Sequence, residues 1–426
     1  GQYVTGEEVL ELDFSNFNIS GRYYFYVDTI GRSMDFVIGP EALNEAFYIH
    51  ARGLYHKRCG IAKKAPFTAW EAPACHSEVL RGRFPGRDEH YRKGKEEKSF
   101  GFFDRKGNRM AVRHFELIKE NPPYKELRVT APGGWHDAAD YDRRPYHLRI
   151  VCDLAAVYLM KPQNFIDGQL NIPESGNGIP DILDEALWGV RHLIKAQQPD
   201  GGIGTWIETT GHPGGEYDGP ERDSTNHTYF VAIPTHNSCY DFAGTVALVA
   251  RAYRAAGKGN IAAKLTERAE RAWRWAETHP PVEKKMKSYV GNRWKKENAI
   301  DVVFKEDKNY SVKLMLTAAL NLAAVTGKTE YFAPIVKRRK ELIAETNKSS
   351  WGWNQFDLME FALKDQPLVA EIEEYGNNFK RRRINEAEEI LKNLESAYPY
   401  RTLWFAADHG FVHTMSWGNC HPFRRA

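Results

Sequence analysis

Apolar residues recur every three or four positions through a long series of separate stretches. They run over Ala42–Cys59, Arg143–Tyr158, Pro180–Gln197, Cys239–Ala256, Ile261–Thr278, Val312–Thr326, Thr329–Glu345, Gln355–Lys364, Leu368–Tyr375 and Ile384–Tyr398. That spacing gathers them on one face of an α-helix. Gly60, Gly257, Gly327 and Pro399 close several of these stretches, as helix breakers do. With no strand-like segment between them, the pattern predicts helix packed on helix, a mainly α architecture. Between residues 77 and 130 the periodicity gives way to charged, glycine-rich sequence such as Lys93-Gly94-Lys95-Glu96-Glu97-Lys98. An exposed insertion loop is predicted there, with room for a short hairpin around Gly107.

The first forty residues follow another rule. Val9–Asp13, Tyr23–Asp28 and Met34–Ile38 carry β-branched and aromatic residues around the turn signals Asn16-Phe17-Asn18 and Ile30-Gly31-Arg32. They predict three short strands. A complete sandwich needs about seven strands in about 100 residues, so the segment reads as part of a β module, residues 1–39, ahead of a helical domain over 40–426.

Composition adds three constraints. The 426 residues are 42% hydrophobic and 13% aromatic, enough for a large core, and single-domain enzymes do exceed the usual size. The net charge of +3 comes from nearly balanced acids and bases, which gives no reason to expect a nucleic-acid partner. The basic run Lys380-Arg381-Arg382-Arg383 is followed by Glu386, Glu388 and Glu389 and reads as a solvated helix end. No apolar stretch approaches the roughly 20 residues of a membrane span. The chain opens at Gly1 rather than Met, which leaves room for a removed leader.

The chemistry concentrates in Gly133-Gly134-Trp135-His136-Asp137-Ala138-Ala139-Asp140-Tyr141-Asp142. Asp137 and Asp140, three apart, fall on one side of a helical turn or tight loop. One can hold a water while the other tunes it, because neighbouring like charges raise at least one pKa. The same spacing also serves a solvated, N-capping turn. Five cysteines at irregular spacing do not outline a disulfide framework. Cys59, Cys75, His76 and His136 do make up two thiolates and two imidazoles, the donor set of a closed, structural zinc site. The alternative is a buried cysteine beside an unrelated histidine. Cys152 and Cys239 are predicted to be buried thiols on helices. The eleven Trp and twenty-one Tyr suit stacking on pyranose faces as well as core filling.

Gly133 to Tyr141 resembles the Gly-Gly-Trp-x-Asp-Ala-Gly-Asp-Tyr signature of glycoside hydrolase family 9, the inverting β-glycanases that include many cellulases. Ala139 stands where that family usually has glycine, removing backbone freedom beside Asp140. Further matches follow in order: Phe36-Val37-Ile38-Gly39-Pro40, Tyr55-His56-Lys57-Arg58-Cys59-Gly60, Pro73-Ala74-Cys75-His76, Asn177-Gly178-Ile179-Pro180-Asp181-Ile182-Leu183-Asp184-Glu185-Ala186 and Gln197-Gln198-Pro199-Asp200-Gly201-Gly202.

The resemblance implies an (α/α)6 barrel of six inner and six outer helices, an immunoglobulin-like module of which residues 1–39 would be a part, and a secreted or periplasmic location. It implies Asp140 as general base and Asp137 as the residue that positions the attacking water. It supports a structural zinc on Cys59, Cys75, His76 and His136. It also places a Pro-Glu-Glu-Asp region near the groove and calcium nearby, in the loop from Gly201-Gly202-Ile203-Gly204-Thr205-Trp206 through Asp223-Ser224, although no EF-hand-like spacing is present.

Pro234-Thr235-His236-Asn237-Ser238 precedes a predicted helix with Ser238 as N-cap. Glucan-cleaving relatives usually carry Ser-Thr-Ala-Ala-Thr there, so His236 and Asn237 would bear on sugar selection. Trp353, in a segment resembling the family's, is a candidate stacking platform or a core tryptophan. Trp206 and Tyr141 join it as candidate sugar contacts.

Inversion needs a second carboxyl as general acid. In the family it is a Glu near the end of the barrel, after a His-Arg motif, and neither is recognisable before Ala426. The expectation is a fragment of a longer chain, with no acid nominated. The expected activity is inverting hydrolysis of β-1,4-linked glycans, cellulose or β-glucan first and glucosaminide second, by endo or exo attack. The alternatives are a glycan-binding protein of the same fold without catalysis, and a polysaccharide lyase, against which the Gly133–Asp137 segment argues.

Overall fold

A computed structural model describes residues 12–74, 78–81, 127–136, 147–205, 207–209, 229–231, 234–281, 283–289, 299–305 and 308–337, with the helical positions 381, 384, 385, 388 and 392. The chain divides into two compact units, Tyr48–Lys337 in one and Gly1–Phe47 with Arg338–Ala426 in the other.

In the second of these, four short strands stand at the start: β1 (Gly21–Tyr23), β2 (Tyr26–Val27), β3 (Gly31–Arg32) and β4 (Phe36–Ile38). β2 pairs with β3 and β1 with β4, both antiparallel. The strand expected over Tyr23–Asp28 is therefore split. Ser33 breaks it: the Phe25 amide donates to Ser33 Oγ at 2.8 Å, and the Ser33 amide donates to the Phe25 carbonyl at 2.8 Å, forming a bulge in the ladder. Phe25 stacks on Phe36 with ring centroids 5.0 Å apart, and Phe14 meets Phe25 edge-on at 5.1 Å. Leu12 and Asp13 are not in a strand.

Helix α1 (Asn44–Lys57) leads into the larger unit, which holds α2 (His147–Met160), α3 (Asp181–Ala196), α4 (His236–Ala255), α5 (Gly259–Thr278), α6 (Lys308–Thr326) and the short α7 (Phe332–Lys337). α4 is central, packing against α2, α3, α5 and α6. Its buried positions run unbroken from Phe242 to Tyr253, the mark of a helix surrounded by others. Gly244 lets α6 come close: a Cβ there would stand 3.2 Å from the Ala318 amide nitrogen. α5 is an outer helix. It buries Ala262, Leu265, Ala269, Ala272, Trp273 and Ala276, while Lys264 and Arg274 face solvent. In α6, Leu316, Leu320 and Leu322 are almost wholly buried, each contributing roughly 1.5–3 kcal/mol.

Up to Lys337 the helices thus stand close to where their periodicity placed them, those expected over Gln355–Lys364 and Leu368–Tyr375 lying outside the described residues, but strands do intervene, contrary to expectation. β5 (Glu78–Arg81), β6 (Leu127–Thr130), β7 (Ile207–Thr209) and β8 (Tyr229–Val231) form a sheet in the order β6-β5-β8-β7. The pairing is antiparallel except for the β5–β8 contact. β9 (Glu283–Tyr289) and β10 (Ala299–Lys305) form an antiparallel hairpin. The lysine-rich β9 carries little strand signal of its own, and its pairing with the β-branched run of β10 supplies what propensity did not. The ends of the insertion over 77–130 pair as β5 and β6; Gly107 lies outside the described residues. Among the described residues no helix is long and apolar enough to cross a membrane.

Candidate active site

After α1 ends at Lys57 the chain runs alongside the glycine pair that leads into Asp137. Arg58 and Trp135 face each other as an antiparallel bridge. The Cys59 amide donates to the Gly134 carbonyl at 2.9 Å, and the His136 amide donates to the Lys57 carbonyl at 2.8 Å. The Gly133 amide also donates to the Cys59 carbonyl at 3.1 Å, so two residues oppose one and the strand bulges. Bulges of this kind re-aim the side chains that follow. Gly133 and Gly134 take φ of 141° and 73°, values that L side chains rarely adopt. A Cβ on Gly133 would come 2.7 Å from the His192 amide nitrogen. α3 holds the other edge, since the Gly134 amide donates to the Trp188 carbonyl at 2.8 Å and Trp188 Nε1 donates to the Gly134 carbonyl at 3.0 Å.

Side chains alternate faces along a ladder, which sorts this one into two. On one face are Arg58 and Trp135, both buried. Glu185 of α3 takes both: Oε1 accepts from Trp135 Nε1 at 2.8 Å and Oε2 accepts from Arg58 Nε at 3.0 Å. Glu174 accepts from Arg58 Nη1 at 2.8 and 3.0 Å, and the guanidinium lies 4.5 Å from the centre of the Trp188 ring. Burial works against the Arg58 charge, but Glu185 and Glu174 more than offset it and raise its pKa. Burial raises the Glu185 carboxyl against the pull of Arg58. On the other face stand Cys59, fully buried, and the half-buried His136, diagonal to each other across the ladder.

The loop before α3 is tied to the helix start by carboxylates. Asp181 accepts from the Gly168 amide at 2.9 Å, the Leu170 amide at 2.7 Å and Ser175 Oγ at 2.7 Å. Asp184 accepts from Asn177 Nδ2 at 3.0 Å. Acids in a first helical turn also complement the helix dipole. Pro180 at the N-cap offers no side-chain cap, so these contacts order the entry to α3. The motif from Asn177 to Ala186 is thus the scaffold that presents Glu185.

Of the residues singled out from sequence, Cys59 and His136 fall on the same face of this ladder. Asp137, Asp140, Tyr141, Cys75, His76, Trp206 and Trp353 lie outside the described residues, as do residues 210–224 of the calcium candidate loop that starts at Gly201. Among the described residues no group of three or more His, Cys, Asp or Glu is placed to hold a metal ion. Cys239 is buried on α4 and Cys152 part-buried on α2. Burial pushes the Cys152 thiol up to about 12.

His236 is the first residue of α4, not part of a loop before it. The cap is Thr235, whose side chain accepts from the Ser238 amide while Ser238 Oγ accepts from the Thr235 amide. Ser238 sits three residues inside that cap, a reciprocal arrangement that satisfies two amides at once. His236 Nε2 meets the His279 carbonyl, and its ring stands edge-on to Tyr240 at 5.7 Å. Sequence reading missed Arg58, Glu174 and Glu185 as parts of the site. The available signal was a pair of adjacent acids, Asp184 and Glu185, on a helix whose pattern buries them.

Comparisons with known proteins agree on one relationship. The chain is 25% identical over 256 residues to Endoglucanase D of Acetivibrio thermocellus, covering 59% of this chain and 34% of that one. It is 26% identical over 302 residues to a cellulose 1,4-beta-cellobiosidase of the same organism, covering 64% and 30%. It spans about a third of the length of these curated relatives. Among solved structures, a metagenome-derived glycoside hydrolase family 9 endoglucanase superposes with a TM-score of 0.64 at 25% identity, over 92% of this chain and 62% of that one. The fold class is mainly α, an (α/α)6 barrel with a small β segment ahead of it. The glycosyl hydrolase family 9 model matches residues 44–424, and the chain belongs to that family.

Proposed function

We propose that the chain hydrolyses β-1,4-glycosidic bonds of a polysaccharide or oligosaccharide with inversion at the anomeric carbon. The observation that carries this reading is the pinned segment Gly133–His136, which ends one residue before Asp137. Its backbone is bonded on both edges, to Lys57–Cys59 and to Trp188, and its indole is held by Glu185. A general base must be held to a fraction of an ångström to be efficient, and an anchored segment ending one residue before Asp137 supports the reading.

In the reaction Asp140 takes a proton from the water that attacks the anomeric carbon, while Asp137 orients that water. The leaving oxygen takes its proton from a second carboxyl, roughly 6.5–9.5 Å from the base. Glucans are the favoured substrate class, on the names of the relatives, which include both an endoglucanase and a cellobiosidase. Secretion accords with a polymeric substrate.

Cys59, Cys75, His76 and His136 would hold a structural zinc. In its favour, Cys59 and His136 share one face of the ladder, and Cys59 is fully buried. Four such donors close a tetrahedral site and leave no position for water. The ion would brace the segment that carries Asp137, apart from the chemistry.

The test is anomer-resolved NMR of the products from cello-oligosaccharides and chitosan oligomers. An initial α-anomer from a β-linked substrate is expected. A β-anomer or an unsaturated product would overturn the reading, and binding without turnover would mark a glycan-binding protein.

A further inference from the structure

We propose that Glu185 is a positioning residue for this hydrolysis: its two carboxylate oxygens hold the Trp135 indole and the Arg58 guanidinium, and through them the segment that delivers Asp137 and Asp140. The inference rests on the assignment of those two aspartates made above.

Arg58 and Trp135 are opposite members of one bridge, so a single group bonded to both clamps the ladder crosswise. Glu185 Oε1 accepts from Trp135 Nε1 at 2.8 Å, and Oε2 accepts from Arg58 Nε at 3.0 Å and lies 2.9 Å from Nη2 as its ion-pair partner. The side chains involved are sealed from water, Arg58 at 0% and Glu185 at 1% exposure. Competition from solvent for these bonds is thereby removed.

A buried arginine needs a counter-charge, and that need alone would be a structural role. Glu174 already meets it, giving both its oxygens to Arg58 Nη1. What Glu185 adds is the second connection, to an indole N–H that carries no charge. Trp135 stands two residues before Asp137. At about 3.3–3.6 Å of chain per residue, two residues span at most about 7 Å, a short reach over which to absorb a displacement of the indole.

The test compares Glu185→Gln, Trp135→Phe, their double variant and Asp140→Asn with the parent chain on a soluble β-glucan. Glu185→Gln keeps the side-chain volume and an acceptor for Trp135, but turns an amide donor toward Arg58. Trp135→Phe removes the Nε1 donor and leaves the Arg58–Glu185 pair intact. The expected result for each single variant is native circular dichroism and a kcat lower by about 10- to 100-fold, with KM changed less than about twofold. The double variant is expected to be no worse than the poorer single one, because each variant breaks one end of the same Trp135–Glu185–Arg58 connection, and a connection broken at either end is already lost.

An unchanged kcat per folded molecule, with only a lower melting temperature, would make Glu185 a structural counter-charge and overturn the proposal. If Glu185→Gln does not fold, Trp135→Phe decides by the same criterion. Wild-type turnover in Asp140→Asn, or none in the parent, would overturn the catalytic assignment and the inference with it. An inactive Asp140→Asn beside a fully active Glu185→Gln would overturn the positioning role alone.

Discussion

Trp135 lies so close across Gly189 that a Cβ on that glycine would stand 2.1 Å from the ring's Cη2 and 2.5 Å from its Cζ3. Glycine in the middle of α3 costs about 1 kcal/mol of helix stability relative to alanine. Here it opens the slot in which the Trp135 indole, two residues before Asp137 in sequence, is seated. Gly189→Ala is therefore expected to destabilise the protein despite the gain in helix propensity, since overpacking costs about 1–3 kcal/mol. The displaced indole should also lower kcat. Thermal unfolding and steady-state kinetics check both. An alanine variant more stable than the parent and equally active would show that the ring has room to move.

Asp140→Asn is expected to lower the rate of hydrolysis by about 100- to 10,000-fold while leaving oligosaccharide binding in place. The amide keeps the shape of the carboxylate and loses its ability to take a proton. Kinetics paired with calorimetric titration of a cello-oligosaccharide separates the two effects. Turnover close to that of the parent would remove Asp140 from the mechanism.

If Cys59, Cys75, His76 and His136 hold zinc, the purified chain should carry about one equivalent of the metal, and a chelator should lower its melting temperature. Cys59→Ser should reduce both the zinc content and the chelator's effect. Elemental analysis and calorimetry measure these without recourse to activity. Metal-free protein that melts at the same temperature with and without chelator would end the assignment.

Asp184 has a carboxyl whose pKa is pushed up to about 7, by burial first, against the bond from Asn177 and with the help of the Glu174 and Asp181 charges. Since the folded value lies above that of an unfolded aspartate near 3.9, the folded state holds this proton more tightly. Its stabilising contribution is complete below about pH 4 and is lost as pH rises through about 7. Asp184→Asn, which resembles the protonated form, should lose less stability than the parent between pH 5 and pH 8, by on the order of 2 °C in melting temperature. Identical pH profiles for the two proteins would show that Asp184 ionises normally.

The positions of the long helices were legible because their 3.6-residue periodicity is a local property, and α5 shows it plainly with Leu265, Ala269, Ala272 and Ala276 on its buried face. The pair Asp137 and Asp140, and the four residues proposed to hold zinc, were legible as residue types in an ordered set of motifs. Thr235 was harder to see. Both it and Ser238 are good caps, and only the reciprocal bond between them at the start of α4 decides which is the cap.

By itself the sequence determined the helical class, the family motif and the candidate chemistry, since each is written in neighbouring residues and short spacings. The tertiary structure decided the rest. The sheet β6-β5-β8-β7 joins segments from residues 78 to 231, and no local pattern encodes a pairing at that separation. Glu185 reads as one more acid on a helix until α3 brings it against Trp135, 50 residues away, and Arg58, 127 residues away. A buried carboxylate takes its role from the donors that the fold places around it, and those donors come from distant parts of the chain.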